Sequence, residues 1–351
     1  MVNLVVGINK QGQMVYRNDS LANKHVFATG KSGSGKTICM GCMVGQIAEG
    51  LDTVVVINWR NTIDHATMLP NERKIYEKHA RVIDVAKEGI KIPLFTLEQD
   101  NKGNVETTES LIHRVTGLLR VAGNLTPTQE GQVQQGLKVI YEHGLYQEEG
   151  IAALGDYLNK QERAVAKNAA AKIRSLCDNN VLRNGSFWVE KARIYEFDLN
   201  GLEYDDQLVV CRFLLDYFLR LANKGKFKEN GLTILVDEVQ NLDFGEGSTM
   251  YALVNESRRL NIRMLMATPT ILSGKRKDMD VMLQCGLSIF FEPLDNERRK
   301  VANFIDQLDS DTWVFNLSRL KRGEFVAKGN FIINGKNVNR PLQLKTYIPE
   351  A

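Results

Sequence analysis

The stretch GKSGSGKT, residues 30–37, decides the fold. It follows the apolar run Val26-Phe27-Ala28 and precedes Ile38-Cys39-Met40, so a strand feeds a glycine loop that opens a helix. Gly30, four intervening residues and then Gly35-Lys36-Thr37 fit the phosphate-loop spacing. Each residue type has a chemical reason. Gly30, Lys31, Ser32, Gly33, Ser34 and Gly35 are expected to turn successive backbone N–H groups inward around phosphate oxygens, and the glycines permit the turn. The helix that follows adds the positive end of its dipole. Lys36 is expected to reach the β- and γ-phosphates of ATP, and Thr37 to offer its hydroxyl to Mg²⁺. The dinucleotide fingerprint G-x-G-x-x-G is not met, because Lys36-Thr37-Ile38 follows Gly35.

A phosphate loop needs an acid for Mg²⁺ and a group to orient water. Thr233-Ile234-Leu235-Val236-Asp237-Glu238 offers both at the end of an apolar strand. Asp237 is expected to hold Mg²⁺ and Glu238 to polarise the attacking water. Further on, NESRRLNIRMLMATPT (255–270) reads as a helix, a turn at Asn261 and a strand ending at Thr268, a sensor position beside the γ-phosphate. Spacing alone leaves two readings of Arg258 and Arg259 open. They are arginine fingers acting on a neighbouring subunit's nucleotide, or a basic helix end favoured by the dipole.

Around these motifs the chain alternates strand and helix patterns. LVVGI and MVYR flank a turn near Gln11-Gly12 and read as a hairpin. VFAT (26–29), TVVVIN (53–58), ARVIDV (80–85) and KIPLF (91–95) read as strands, and the alternation with helices argues for an α/β, mostly parallel sheet. From 105 to 185 every strong pattern is helical. Strands resume at RIYEFDL (193–199), TILVDE (233–238), IRMLMAT (262–268) and LSIFFEP (287–293), and the tail reads as a closing hairpin and a last strand. The expected organisation is a hairpin at 1–22, a core of 23–104 and 186–351, and an all-helical insertion at 105–185.

Composition limits the function classes. The 351 residues are 43% hydrophobic and 25% charged, as in a globular protein with a real core. A net charge of +3 means an anionic partner must be met by local clusters. The five cysteines are expected to be buried core residues in a reducing compartment, although Cys39 and Cys42 have metal-like spacing. The apolar run 208–215 carries Arg212 and is followed by Asp216 and Arg220, so it reads as a core helix and not a membrane span. The expected location is cytoplasmic, either free or peripheral at a membrane complex, with no membrane span and no targeting segment.

In order and content, NKHVFATGKSGSGKT, ILVDEVQNL and ESRRLNIRMLMATPT resemble the FtsK/HerA superfamily of pumping ATPases, which includes DNA translocases and the ATPases and coupling proteins of type IV secretion. The resemblance continues through SIFFEPLDNERRKVANFI and LKRGEFVAKG and spans roughly residues 23 to 330. It implies a RecA-like (ASCE) P-loop NTPase core, assembled as a homo-oligomeric ring, usually a hexamer, with nucleotides between subunits. It also implies that Lys36, Thr37, Asp237 and Glu238 serve the nucleotide, and that Arg258 or Arg259 acts in trans. The family's glutamine after Ala-Thr is replaced by Pro269, which either leaves γ-phosphate sensing to Thr268 alone or weakens it. Asn58 stands where many relatives place an acid, and twenty N-terminal residues are too few for the β-barrel domain of HerA.

Three basic clusters, Lys224-Gly-Lys226-Phe-Lys228, Lys275-Arg276-Lys277 and Arg319-Leu-Lys321-Arg322, are candidates for a phosphate backbone. Lys275, Arg276 and Lys277 follow the sensor strand, where a pore loop is expected. The leading expectation is an ATP-driven DNA translocase of a conjugation, mobile-element or DNA-processing system. The alternatives are a secretion ATPase powering assembly or protein export, and an ATP-binding ring scaffold that recruits an effector nuclease.

Overall fold

A computed structural model of the chain describes residues 4–19, 23–50, 52–60, 63–66, 68–99, 103–177, 181–189, 193–271 and 276–349. The chain divides into two compact units. The first comprises Met1–Arg81, Arg193–Glu196 and Phe227–Ala351; the second comprises Val82–Ala192 and Phe197–Lys226.

The first unit is built on a sheet. Its strands are β1 (Val5–Ile8), β2 (Met14–Arg17), β3 (Val26–Thr29), β4 (Thr53–Asn58), β9 (Leu232–Val236), β10 (Ile262–Thr268), β11 (Leu287–Phe290), β12 (Glu324–Gly329), β13 (Phe331–Ile333), β14 (Lys336–Val338) and β15 (Leu342–Lys345). Their order is β14-β13-β2-β1-β15-β12-β11-β3-β10-β9-β4. Strands β5 (Ala80–Asp84) and β8 (Ile194–Asp198), within which the chain passes between the units, follow at the β4 edge.

The five strands from β11 to β4 run parallel, and those from β11 outward to β14 pair antiparallel. The parallel strands are near-continuous apolar runs because both faces are covered; every residue of β3, β9, β10 and β11 is buried. The N-terminal hairpin is part of this sheet, with β1 paired to β15 and β2 to β13.

Helix α1 (Lys36–Ala48) follows β3, and α2 (Pro70–His79) packs on α1. Cys39 and Cys42 are buried on α1, where burial pushes the Cys39 thiol up to about 12 and the Cys42 thiol higher still. All five cysteines are buried, and among the described residues no cluster of three or more His, Cys, Asp or Glu side chains is placed to hold a metal ion. His25, wholly buried at the start of β3, accepts from the Met264 N–H at Nδ1, so Nε2 donates to the Val254 carbonyl. Burial lowers its pKa to about 4 and keeps it neutral.

The second unit is mostly helical: α3 (Val85–Glu88), α4 (Thr108–Gly123), α5 (Pro127–Glu142), α6 (Tyr146–Glu149), α7 (Ala152–Lys160), α8 (Ala164–Lys172), α9 (Arg174–Cys177) and α10 (Tyr204–Asn223). The expected insertion of 105–185 falls inside it, together with 82–104 and α10. The expected strand at KIPLF shortens to β6 (Ile90–Lys91), paired with β7 (Leu182–Arg183). Pro93 has no N–H to continue a ladder.

Thr107 and Thr126 cap α4 and α5; at α5 Gln129 completes a capping box with Thr126, and Pro127 occupies the first helical position. Phe187, Trp188, Phe197 and Phe218 form an aromatic cluster. The charges at Asp216 and Arg220 meet along α10 at 2.7 Å. Among the described residues no helix is long and apolar enough to cross a membrane.

Candidate active site

Strand register sets the site. Thr29 on β3 pairs with Thr268 on β10 and with Phe290 on β11, while Val236 on β9 pairs with Met266 on β10. Because β10 lies between β3 and β9, the phosphate loop, Thr268 and the Asp237-Glu238 pair emerge abreast at one carboxyl edge. That is where ligands bind in parallel α/β sheets.

The loop between β3 and α1 has the shape its glycines permit. Gly30, Gly33 and Gly35 hold φ of 150°, 77° and 108°. A Cβ on Gly30 would lie 2.6 Å from Phe291 Cβ, and one on Gly35 would lie 3.0 Å from Gly323 Cα. The loop is clasped from both sides. Lys31 donates its N–H to the Glu292 carbonyl at 2.8 Å and pairs through Nζ with the Glu292 carboxylate at 2.6 Å. The Gly323 N–H donates to the Ser34 carbonyl at 2.9 Å, just after the basic segment Arg319–Arg322.

Lys36 is buried, and its ammonium donates to the carbonyls of Gly30 at 2.5 Å and Lys31 at 3.2 Å. Burial lowers its pKa, and the charges of Asp237 and Glu238 oppose that shift. Ser34 Oγ is buried with no hydrogen-bond partner, while Ser32 and Thr37 are exposed. An orphaned hydroxyl in a loop turned by three positive-φ glycines, with a buried lysine at its end, fits a nucleotide's phosphates.

Asp237 is half-buried at the end of β9, and burial raises its carboxyl above the usual range. The Glu238 N–H donates to Asp237 Oδ1 at 2.7 Å and works against that rise, as does Lys36; the Glu238 charge adds to it. Trp59, wholly buried, donates its indole N–H to the Asp237 carbonyl at 2.9 Å. Glu238 sits in the left-handed region at φ 51°, a conformation a glutamate adopts only under constraint. Its carboxylate accepts the Gln240 amide N–H and lies 4.0 Å from the Arg60 guanidinium.

Arg60 is also left-handed, at φ 56°. Asn58 explains part of this geometry. Its side chain bonds both the N–H and the carbonyl of Ile63, at 3.1 and 2.9 Å, and donates to the buried Glu196 at 2.6 Å. Asn58 therefore shapes the loop that carries Trp59 and Arg60.

Thr268 is buried and donates its hydroxyl toward the Gln240 side-chain oxygen at 2.8 Å and the Thr270 carbonyl at 2.9 Å. Arg259 is exposed and pairs with Glu256 on the same stretch. The Arg258 side chain lies outside the described residues, as does Lys275. Arg276 and Lys277 begin α13 (Arg276–Leu283), but their side chains also lie outside the description. The structure thus brings together the loop, Asp237, Glu238 and Thr268, and adds Trp59, Arg60, Gln240, Glu292 and Gly323. No spacing signal marks those five; only the fold makes them neighbours.

The architecture is that of a RecA-like P-loop NTPase. No protein-family model matches the sequence, and no curated protein matches it. Among solved structures the chain is similar to VirB4 of Thermoanaerobacter pseudethanolicus, with a TM-score of 0.67 and 14% identity over 99% of this chain and 96% of that one. It is also similar to the bacterial conjugative coupling protein TrwBΔN70 in complex with sulphate, with a TM-score of 0.65 and 8% identity over 98% and 90%. The plasmid coupling protein TrwB in complex with the ATP analogue ADPNP gives a TM-score of 0.62 and 9% identity over 93% and 86%. At such identities the likeness establishes the fold.

Proposed function

We propose that the chain is an ATP-hydrolysing ring motor that translocates DNA. The observation that carries the ATPase reading is the shared carboxyl edge, where β3, β10 and β9 bring out the phosphate loop, Thr268 and the Asp237-Glu238 pair. Lys36, already anchored at the loop, swings its ammonium from the Gly30 and Lys31 carbonyls to the β- and γ-phosphates. Backbone N–H groups of Ser32, Gly33 and Gly35 and the Ser34 hydroxyl cradle the remaining oxygens, while the Lys31 and Ser34 N–H groups are already given to the Glu292 and Lys31 carbonyls.

Bound Mg²⁺, held by Thr37 and Asp237, would supply charge neutralisation between the β- and γ-phosphates. Glu238 orients the attacking water, and Thr268 reads the γ-phosphate. Arg258 or Arg259 serves the neighbouring subunit's nucleotide in a ring, usually hexameric in this superfamily. DNA as the moved polymer is supported by the likeness to a conjugative coupling protein and by the basic cluster Lys275, Arg276 and Lys277. The likeness to VirB4 favours a second reading, in which the same ATPase powers a secretion machine without threading DNA.

Steady-state ATP hydrolysis with and without long double-stranded DNA tests the proposal, with Lys36→Ala and Glu238→Gln as controls. Turnover is expected to rise with DNA, and either substitution to lower it by about 100-fold or more. Lys36-dependent turnover indifferent to DNA would transfer the proposal to the second reading. No Lys36-dependent turnover would remove both.

A further inference from the structure

We propose that Gln240 is a positioning residue that couples Thr268 to Glu238 during hydrolysis; this rests on the ATPase reading above. A carboxylate only accepts hydrogen bonds, so the group facing Glu238 Oε2 must be the Gln240 amide nitrogen. That assignment turns the Gln240 oxygen toward Thr268, whose hydroxyl is its donor at 2.8 Å. One amide therefore spans the tip of β10 and the carboxylate at the end of β9, and its two ends cannot be exchanged.

Gln240 is held for this role. Its turn, Val239–Asn241, is closed by bonds from the Asn241 backbone and side chain to the Glu238 carbonyl and from Leu242 to Val239. The side chain is thus the movable part. Thr268 has a single hydroxyl proton and two acceptors at nearly equal distance, the Gln240 oxygen and the Thr270 carbonyl. At 1% exposure it has almost no access to solvent as a third choice.

Pro269, next to Thr268 in the chain, carries neither an N–H nor a polar side chain and so adds no third partner of its own. The hydroxyl holds Gln240, or it turns away and releases it. While Gln240 is held, Glu238 is fixed by the amide from one side with Arg60 at 4.0 Å. Once Gln240 is released, the carboxylate loses the partner that sets its orientation. Thr268 thereby reports its contact to Glu238 through the Gln240 side chain.

The test is steady-state hydrolysis by the full chain and by Gln240→Ala, Gln240→Glu, Thr268→Val and the Gln240→Ala/Thr268→Val double variant, with ADPNP affinity measured alongside. Gln240→Glu keeps the side-chain volume but cannot donate to Glu238, so it remains informative if the alanine variant folds poorly. Circular dichroism and thermal unfolding check each variant. The coupling predicts kcat lower by about 10- to 100-fold in both Gln240 variants, with KM and ADPNP affinity changed by less than about 3-fold. It also predicts a double variant no slower than the slower single variant.

The coupling is overturned if folded Gln240 variants keep kcat within about 2-fold of the parent. It is equally overturned if the double variant's loss is the product of the single losses, or if ADPNP affinity falls in step with kcat. Absence of Lys36-dependent turnover in the parent chain is a distinct result that removes the ATPase reading and the coupling with it.

Discussion

At the carboxyl edge of the first unit, Arg60 and Glu238 hold left-handed backbone, three loop glycines do the same, and Ser34 Oγ is buried without a partner. In the second unit the described non-glycine residue with positive φ is Asn124, at the C-cap of α4, where that conformation is the ordinary way to end a helix. There the helix starts are closed by Thr107 and Thr126, and α8 packs its alanines on α5 and α7. In backbone conformation one region breaks local rules and the other obeys them. Backbone strain persists only where the surrounding fold over-determines it, and it concentrates where a ligand is handled.

The largest break in this contrast is expected at Gly30. A valine there must hold φ near 150° and overlap Phe291, which is wholly buried. Gly30→Val should weaken ATP-analogue binding by about 100-fold and lower stability by roughly 2–4 kcal/mol. Gly33→Ala sharpens the point, because Gly33 has φ 77° and nothing within 4 Å of an added Cβ. Its cost is backbone strain alone, about 1–2 kcal/mol. Analogue titration and denaturant unfolding of the two variants separate overlap from strain, and equal losses would contradict that division.

A second test lies behind the phosphate helix. Glu72 on α2 is buried against α1, where a Cβ on Gly41 would overlap its carboxylate, and it accepts the Leu69 N–H at 3.4 Å. Burial raises its pKa from 4.5 to about 7. Between those values the folded chain keeps a proton that the unfolded chain gives up, so stability falls as pH rises from 4.5 through 7. The loss then persists at higher pH.

Glu72→Gln removes the charge and keeps an acceptor for Leu69, so it should stabilise by on the order of 2–3 kcal/mol at pH 8 and by almost nothing at pH 4.5. His25 acts with the opposite sign, losing stability as pH falls from 6.5 toward 4, but it is common to both proteins and cancels in the difference. Thermal unfolding at the two pH values checks this. A Tm difference independent of pH would assign the effect to packing.

The helical unit should respond more mildly. Thr126 Oγ1 accepts the Gln129 N–H at 3.4 Å, and Gln129 Oε1 returns a contact to the Thr126 N–H at 3.0 Å. Thr126→Ala should cost about 1 kcal/mol, read by faster amide hydrogen exchange in the first turn of α5. Unchanged exchange in that turn would mean that packing, not the cap, holds the helix start.

What the sequence disclosed divides along the same line. That the phosphate loop, Asp237, Glu238 and Thr268 share one sheet edge was legible because each motif follows an apolar strand, and the parallel strands were legible because continuous apolar runs signal burial on both faces. Gln240 and Arg60 were not legible. One lies two residues beyond Glu238 and the other lies 178 positions before it, and only the β4-β9-β10 order makes them neighbours. Asn58, read as a missing acid, proves to be the clamp on Ile63. The KIPLF strand was over-read because apolar content alone does not distinguish a strand from a buried turn.

The smallest effect, at Gly131, is paired with its opposite within one helix. Gly131 and Gly136 both lie inside α5, and helix propensity alone would make alanine better than glycine at each by about 0.5–1 kcal/mol. Gly131 is exposed, and an added Cβ meets nothing within 4 Å, so Gly131→Ala should realise that gain. At Gly136 the Cβ would lie 2.6 Å from Leu154 Cδ1 and 2.9 Å from Tyr157 Cδ1, where α7 packs on α5. The gain is then reversed to a loss of about 1–3 kcal/mol. Denaturant midpoints of the two variants should therefore move in opposite directions. If both rise, α7 yields to the methyl groups and the helical unit is more plastic than its caps and packing imply. If both fall, Gly131 is held by something other than local propensity, and the second unit carries a constraint of the kind so far confined to the phosphate edge.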